Sequence, residues 1–414
     1  MTAASPAEAT GTGRDVRICA LIGTGHFLSH FYMLCLPPLF LSWGREFGVS
    51  YATLGLAVAL MSGTTAALQT PVGFWVDRYG ARPFLVGGTL LMALSVAAMA
   101  FAPGFWAILV LAVLSGVGNS VIHPADYAIL AGSINKGFMG RAFALHTFTG
   151  NLGFALAPPT IAVLLSVMDW RMALLVVGLL GVPVVAAILL QSRILQDQAR
   201  PRKAAGADEP SGREVLLSRP MLLFFGFFLL SAMAGSGIQA WLVTVLGELW
   251  GTPVLVASSA LTGYMAGATG GTLVGGWIAD RSKRNLLGLV AVLTLAAMAL
   301  LLLPGLVPLP DAPLVAVAVL GGLALGTSRT PRDVMLRDAA PPGQVGKVFG
   351  FVSAGLPLGS AITPVPMGYL IDMGYPELVL PVVAGLLGLS LLCASGARER
   401  QRPARAAPAA VPAE

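Results

Sequence analysis

The stretch GFWVDRYGARP, residues 73–83, occurs a second time in altered form as GGWIADRSKRN, residues 275–285. Three further pairs of short segments follow in the same order at a nearly constant spacing of roughly 205 residues. Because compositional bias alone would not preserve this order, the sequence indicates two duplicated halves. The further pairs are HPAD (123–126) with TPRD (330–333), GRAF (140–143) with GKVF (346–349), and APP (157–159) with TPV (363–365).

The composition of the chain is not that of a large soluble fold. Of its 414 residues, 56% are hydrophobic and only 11% are charged, and the net charge is +6. Soluble domains average about 25% charged residues, because polar side chains must cover their surface. The three cysteines fit no metal motif, and the glycine-rich runs fit no nucleotide motif. We therefore predict a membrane protein that is not an enzyme, with no metal or other cofactor and no nucleic-acid partner.

Apolar runs long enough to cross a bilayer recur along the whole sequence. A helical span needs about 20 apolar residues, because each residue adds 1.5 Å toward roughly 30 Å of hydrocarbon. Lipid offers the backbone no hydrogen-bond partners, so the spans must be helices. The predicted fold class is an all-α membrane protein with twelve transmembrane helices in two pseudo-symmetric six-helix halves. We number the spans 1 to 12: 16–41, 53–73, 84–102, 105–130, 141–166, 171–192, 220–247, 254–275, 286–305, 312–333, 347–371 and 376–396.

Basic residues fall almost entirely on one side of the predicted membrane. Segments on the side of the two termini hold 22 lysines and arginines, whereas the opposite side holds only Arg45 and Arg171. Since positive charge is retained on the cytoplasmic side, both termini are predicted to lie in the cytoplasm, with the chain in the inner membrane. The net charge therefore reflects topology.

Polar segments divide the sequence into five parts. The segment between the halves is rich in Pro, Gly and Ala, which predicts a flexible cytoplasmic linker. The composition of the last residues predicts disorder. The parts are a cytoplasmic N-tail (1–15), an N-terminal six-helix half (16–192), the linker (193–219), a C-terminal six-helix half (220–396) and a disordered cytoplasmic tail (397–414).

The repeated stretch is similar to the loop between helices 2 and 3 of major facilitator superfamily transporters, and the whole chain resembles that superfamily. Within it, GVGNSVIHPADYAIL (116–130) and GRAFALHTFTGNLGFALAPP (140–159) resemble the fosmidomycin-resistance-like efflux group. The resemblance implies a substrate site near the membrane midplane, between halves that rock against each other. Two positions depart from many proton-coupled antiporters of the superfamily, with Ala112 in place of an arginine and Ala157 in place of a glycine. His30 stands where the group commonly has an acid.

The repeated loop motif suits a turn that locks one state of a transporter. Its glycines allow close approach and tight turning. Its aspartate is suited to accept hydrogen bonds from helix N-termini and to pair with the adjacent arginine or a neighbouring loop. Ordinary cytoplasmic loop charge, the alternative, explains the arginines but not the aspartates. The motif residues are Gly73, Asp77, Arg78 and Gly80, with Asp280 and Arg281 in the second copy.

Span 1 carries two ionisable rings on one face, His26 near the midplane and His30 one turn away. Ionisable residues within a span are costly and therefore indicate function. In the superfamily that the sequence resembles, helices 1, 4, 7 and 10 line the central cavity, so we expect both rings to face it. There they would exchange protons, since histidine titrates near neutral pH, or hydrogen-bond an anionic substrate. The alternative is an interhelical hydrogen bond with no role in transport.

A second polar group lies closer to the cytoplasm in the first half. His123 and Asp126 are three residues apart and share a face of span 4, and His146 begins span 5 on the same side. Pro124 should break span 4 and free backbone carbonyls. We predict that Asp126 forms a cytoplasmic gate with an arginine of the second half. A static charge pair that anchors helix ends is the alternative.

Span 10 supplies the matching charges of the second half. Arg332 and Asp333 stand opposite the span 4 group as gate or anchor residues, and Pro331 should break span 10 as Pro124 breaks span 4. Arg329 lies deeper. A permanent cation in a cavity wall suits a carboxylate or a phosphonate, whereas the alternative is an arginine that extends to the headgroups.

Uncharged polar residues within spans provide further candidates for the central cavity. Polar contacts between helices are the commoner role for such residues, and small residues on spans 5 and 8 are expected to form packing surfaces. Together with His123, His146 and Arg329, the cavity candidates are Asn119, Asn151, Gln239, Trp241 and Tyr264.

These observations predict a proton-coupled secondary transporter, a monomer in the lipid bilayer that exports a small organic, anionic molecule. Uptake of an organic acid by proton symport is an alternative, and Ala112 in place of the antiporter arginine favours it. A membrane sensor or scaffold on the same fold would move no solute. A membrane-embedded hydrolase would need a nucleophile, for which Ser29 beside His26 and His30 is the one hint.

Overall fold

The computed structural model describes residues 6–135, 138–196, 216–281, 286–339, 348 and 351–399. Every regular element within these ranges is a helix. Parts of three segments predicted from composition, namely 1–5 of the N-tail, 197–215 of the linker and 400–414 of the C-tail, lie outside the described residues.

The first half contains spans 1 to 6 in the predicted order. A 3-10 turn, Pro37–Leu39, joins the two helices of span 1. Its helices are Pro6–Leu34 and Phe40–Phe47 (span 1), Tyr51–Tyr79 (span 2), Ala81–Met99 (span 3), Phe105–Ser120 and Ile122–Ser133 (span 4), Met139–Val167 (span 5), and Trp170–Leu179 and Gly181–Gln191 (span 6).

The second half repeats this arrangement. A 3-10 turn, Pro376–Leu378, precedes span 12. The helices are Arg219–Trp250 (span 7), Val254–Arg281 (span 8), Leu286–Leu306 (span 9), Asp311–Ala339 (span 10), Gly355–Ile362 and Pro364–Asp372 (span 11), and Val379–Glu399 (span 12).

Ten helical segments in the described residues are long and apolar enough to cross a membrane. The other two predicted spans are also helical. Span 8 is a 28-residue helix whose glycines lower its mean hydropathy. Span 11 is interrupted between Ile362 and Pro364. A proline at the start of a helix lacks only an N–H that would be unpaired there, so Pro364 begins the second segment of span 11 without loss. The predicted all-α fold is confirmed.

The two prolines expected to break matching helices behave differently. Span 4 is interrupted at Val121, because the ring of Pro124 is incompatible with the carbonyl four residues earlier in an unbroken helix. Span 10 instead runs continuously through Pro331, so the prediction of a break there is wrong. Span 10 packs along its length against span 8. Proline is tolerated within membrane helices that pack on neighbours, and Pro71 and Pro304 also lie inside continuous helices.

Glycines bring spans 8 and 10 into backbone contact. A Cβ added at Gly267, Gly271 or Gly275 would lie 2.1 to 2.3 Å from a carbonyl oxygen of span 10. Gly322 and Gly326 of span 10 meet backbone carbonyls of span 8 in the same way. Small residues allow this approach, as predicted for the glycine face of span 8.

The two halves meet through spans 2 and 11 and through spans 5 and 8. On the face opposite the termini, the Asp372 carboxylate accepts hydrogen bonds from the backbone N–H groups of Tyr51 (2.5 Å) and Ala52 (2.8 Å). The Tyr51 hydroxyl also donates to Glu248 of span 7 at 2.5 Å. We call this set of contacts the Asp372 clasp. It caps the start of span 2 with a charge from the other half.

Candidate functional site: a cationic cavity and a histidine cluster

A cavity of about 340 Å³ lies between the two halves. Spans 1, 2 and 5 line it from the first half, and spans 7 to 12 line it from the second. Two of its lining residues are arginines, Arg329 and Arg332, and none of the described lining residues is acidic. The wall also carries hydroxyl groups, from Ser62, Ser231, Ser236, Thr294, Ser328 and Ser360.

The two cavity arginines differ in their surroundings. Arg332 forms an ion pair with Asp333 at 3.0 Å, and its guanidinium lies 3.9 Å from the centre of the Phe228 ring. For Arg329, no carboxylate of the described residues lies within 4 Å of the guanidinium. The cavity therefore contains one cation that is largely neutralised and one that is not, a combination that favours an anionic ligand.

Three of the predicted cavity candidates, Asn151, Gln239 and Arg329, line this cavity. Two others instead join helices. The Trp241 indole donates to the Pro364 carbonyl at 2.9 Å, where span 11 is interrupted, and the Asn119 amide donates to the Thr65 hydroxyl at 3.3 Å.

Tyr264, the remaining uncharged candidate, is fully buried on span 8. Its backbone packs against Gly322 of span 10. Its position favours a role in helix packing.

All four histidines of the chain form one cluster among spans 1, 4 and 5, in which His26 and His146 are buried and His30 and His123 are partly buried. The ring of His26 stacks on that of His146, with 3.7 Å between centroids and 8° between planes. His30 lies 4.4 Å from His26, and His123 lies 5.0 Å from His26, again between centroids. We call these four rings the histidine cluster. The two histidine pairs that the sequence assigned to separate depths are therefore a single site.

Hydrogen bonds determine the proton positions in part of the cluster. His26 Nδ1 lies 2.8 Å from the His146 carbonyl oxygen. Because a carbonyl only accepts, Nδ1 of His26 must carry the proton, which leaves Nε2 with a free lone pair in the neutral ring. His146 Nε2 lies 2.9 Å from a carboxylate oxygen of Asp126, and both side chains are almost entirely buried.

Several polar atoms of the cluster are buried without a hydrogen-bond partner in the described part of the chain. They share one small volume in the first half. Each such atom costs about 1–3 kcal/mol relative to a paired one. They are His26 Nε2, His30 Nδ1, His123 Nδ1 and Asp126 Oδ1. This concentration of unsatisfied groups indicates a site that takes up protons or a ligand.

The prediction that His26, His30, His123 and His146 line the central cavity requires correction, because none of them is among the lining residues. The cavity wall at this point is Phe154, whose ring lies 4.3 Å from that of His30. The cluster thus lies one side chain behind the wall. Gly150 explains the position, because the absence of a side chain there lets span 5 approach both rings.

The predicted gate between Asp126 and an arginine of the second half is not present in this structure. Asp126 binds His146 within its own half, and Arg332 binds Asp333 within the other. Sequence spacing predicts the depth of these charges but not which side chains they meet, and here each charge has its partner in its own half.

The loop motif is described only in part. Gly80 adopts a φ of +88°, which favours glycine and supports its assignment as the turn residue. A Cβ added at Gly73 would meet no atom within 4 Å. Arg78 is exposed, and its guanidinium lies over the Tyr79 ring. The side chains of Asp77, Asp280 and Arg281 lie outside the described residues.

The sequence reasoning missed the Asp372 clasp. A signal was available, because Asp372 and Glu248 are acids at the ends of spans on the side that is poor in charge. Ser29, the hint for the hydrolase alternative, donates its hydroxyl to the backbone carbonyl of His26 at 2.9 Å and not to a histidine ring.

The sequence model of the Major Facilitator Superfamily matches residues 22–249 and 229–413. The chain belongs to the major facilitator superfamily. The two matches cover both halves, in agreement with the duplication inferred from the repeated motifs. This membership makes it a membrane-spanning transporter of small molecules, and it indicates no enzyme family.

Similar proteins agree with this assignment. The Fosmidomycin resistance protein of Escherichia coli (strain K12) is 26% identical over 94% of this chain and 95% of its own length. The Probable nitrate/nitrite transporter NarK2 of Mycobacterium tuberculosis (strain ATCC 25618 / H37Rv) is 26% identical over 88% and 92%. The resemblance to the fosmidomycin-resistance-like group is confirmed.

Among solved structures, a bacterial homologue of the human lysosomal transporter Spinster, in an inward-facing and occupied conformation, has the same fold. It aligns with a TM-score of 0.75 and 13% identity, over 95% of this chain and 97% of that one.

Proposed function

We propose that this protein moves a small organic anion across the bacterial inner membrane by alternating access, as a monomer with both termini in the cytoplasm. Arg329 carries the proposal, because it is a cation without a nearby carboxylate in the cavity between the two halves. The flexible linker and the disordered tail expected from composition complete the proposed organisation of the chain.

An anion fits the cavity in charge, in hydrogen bonding and in size. Two arginines and six hydroxyl-bearing residues line the wall, so a carboxylate or phosphonate would find both a counter-charge and donors. The volume lies at the lower end of the roughly 300–1,000 Å³ typical of small-molecule sites. The similarity to a protein named for nitrate and nitrite transport adds support for an anionic substrate.

Coupling to protons would use the histidine cluster together with Asp126. Imidazole and carboxylate groups exchange protons, and here four rings and a buried carboxylate lie behind a single cavity side chain, Phe154. Protonation of the cluster would place positive charge close to the anion site and so strengthen anion binding, a linkage that suits symport, the second candidate below.

Efflux is the direction we favour, because of the similarity to the Fosmidomycin resistance protein. Uptake by symport is the second candidate, favoured by Ala112 at the place of the antiporter arginine. A sensor on the same fold would show no flux in either direction.

The first test is tolerance to fosmidomycin, a phosphonic acid, in a drug-hypersensitive bacterial host that expresses the protein. We expect raised tolerance that Arg329→Gln abolishes and that Arg17→Gln, at an exposed site near the termini, retains. Lower tolerance would support uptake instead. Unchanged tolerance with protein present in the membrane would contradict the phosphonate proposal.

Proton coupling is tested in proteoliposomes with an imposed pH gradient and His26→Ala as the variant. In antiport the substrate moves against the direction of proton flow, and in symport it moves with it. Flux that ignores the gradient would contradict coupling. Flux that follows the gradient equally well in His26→Ala would remove His26 from the proton path.

A further inference from the structure

We propose that His26, His30 and His123 form a binding site for a divalent first-row transition metal, with Zn²⁺ as the reference ion. The site lies in the first half, behind the wall of the substrate cavity. It goes beyond the proposed transport function, and a bound ion would compete with protons for the same ring nitrogens.

The three rings already lie close enough together to share an ion. One ligand nitrogen from each lies within 4.8 Å of the other two. Two nitrogens bound tetrahedrally to Zn²⁺ at about 2.0–2.1 Å are roughly 3.4 Å apart. Small ring rotations would close this difference, because each nitrogen would have to move by no more than about 1 Å.

The hydrogen-bonding state of the rings suits metal ligation. His26 donates from Nδ1 to the His146 carbonyl, so its Nε2 carries a bare lone pair. A histidine that binds a metal through one ring nitrogen usually donates a hydrogen bond from the other, often to a carbonyl. This bond fixes the tautomer and the orientation of the ring. His30 Nδ1 and His123 Nδ1 are likewise buried without a partner among the described residues.

A buried carboxylate lies one ring away from the three proposed ligands, beyond His146. Asp126 is fully buried on span 4, the span that also supplies His123, and one of its oxygens has no partner in the described part of the chain. Its other oxygen binds His146, which stacks on His26. A dication held by three neutral imidazoles would therefore be partly compensated within the protein, where lipid supplies no counter-ion.

The sequence predicted no metal site because its ligands are dispersed. His26 and His30 have the i, i+4 spacing of a helical chelate, but the third ligand comes from span 4, nearly a hundred residues later in the chain. Only the packing of span 4 against span 1 brings the third ring to the other two. Imidazole ligands suit Zn²⁺, Cu²⁺ and Ni²⁺ over Mg²⁺ or Ca²⁺, which prefer oxygen. A bound ion would link span 1 to span 4.

The test is Co²⁺ binding to the purified full-length protein in detergent, carrying a tag without histidine. Visible absorption bands of Co²⁺ report nitrogen ligation directly. We expect saturation at one ion per chain, displacement by Zn²⁺, and at least a tenfold weaker affinity in His30→Gln and in His123→Gln. The control is Ser29→Ala, which removes a buried hydroxyl between the two span 1 ligands and should leave the affinity unchanged.

Two outcomes would overturn the proposal. One is wild-type protein that shows no saturable binding, and the other is affinity that stays within twofold of wild type in both histidine variants. Should these variants fail to fold, X-ray absorption of Zn²⁺ on the wild-type protein decides the matter without them. Three imidazole ligands would support the site, whereas sulfur or purely oxygen ligands would exclude it.

Discussion

Gly150 lies against the histidine cluster at a distance that no side chain would permit. A Cβ at this position would lie 2.5 Å from His26 Cε1 and 2.7 Å from His30 Nδ1. The next residue, Asn151, lines the substrate cavity, so one turn of span 5 contributes to both sites. A single absent side chain therefore sets the distance between the cluster and the cavity.

Gly150→Ala is expected to displace both rings and lower the free energy of unfolding by about 1–3 kcal/mol, as overpacking of a close-packed site typically does. Thermal unfolding of the detergent-solubilised protein measures this loss. Gly385→Ala is the control, because a Cβ there meets no atom within 4 Å. Equal stability of the two variants would mean that the cluster is loosely packed.

The two cavity arginines should contribute unequally to substrate affinity. Arg329→Gln removes a guanidinium without a nearby carboxylate, and we expect affinity for the transported anion to fall roughly 10- to 100-fold, the equivalent of a hydrogen bond to a charged group. Arg332→Gln should have a smaller effect on affinity, because Asp333 already neutralises that charge. Equilibrium binding of the anion to the purified variants tests this order. A larger loss in Arg332→Gln would reverse the assignment.

At the scale of the helix, sequence reasoning identified elements well and local breaks less well. Pro124 interrupts span 4, but Pro331 lies within a continuous span 10. Local sequence gives both prolines the same penalty. Tertiary context decides the outcome, and for span 10 that context includes the glycine face of span 8, whose residues are far away in the sequence.

Neighbouring glycines on span 8 offer a matched test of this interface. A Cβ at Gly271 would lie 2.3 Å from the Leu323 carbonyl oxygen, whereas a Cβ at Gly270 meets no atom within 4 Å. Gly271→Ala should therefore lower the unfolding temperature and the transport rate, and Gly270→Ala should change neither. Both substitutions have the same helix propensity effect, so any difference between them reports the packing of spans 8 and 10.

At the scale of the whole molecule, the Asp372 clasp joins the halves on the face opposite the termini. A transporter that alternates its access must open this contact in each cycle. In the clasp, a carboxylate accepts hydrogen bonds from two N–H groups at the start of a helix. These charge-assisted bonds are strong, but they involve few atoms and can break and form again.

Asp372→Ala is expected to favour opening on this face by about 1–2 kcal/mol, or roughly 5- to 30-fold in population. A cysteine introduced at Ser236, in a background without native cysteines, would then react faster with a membrane-impermeant maleimide added from that face. Asp169→Ala removes a carboxylate cap of the same kind within one half, at Met172, and should leave the labelling rate unchanged. Equal rates in both variants would remove the clasp from the gating cycle.

The sequence by itself determined the class of protein, the number of spans, the duplication and the family, because each of these depends on length, composition or order along the chain. Only the tertiary structure decided which polar residues face the cavity and which meet one another. Lipid and protein interior are equally apolar, so the pattern of a membrane helix does not mark the side that faces its neighbours. Sequence spacing therefore divided the histidines into two groups. The structure shows one cluster, formed by His26, His30, His123 and His146.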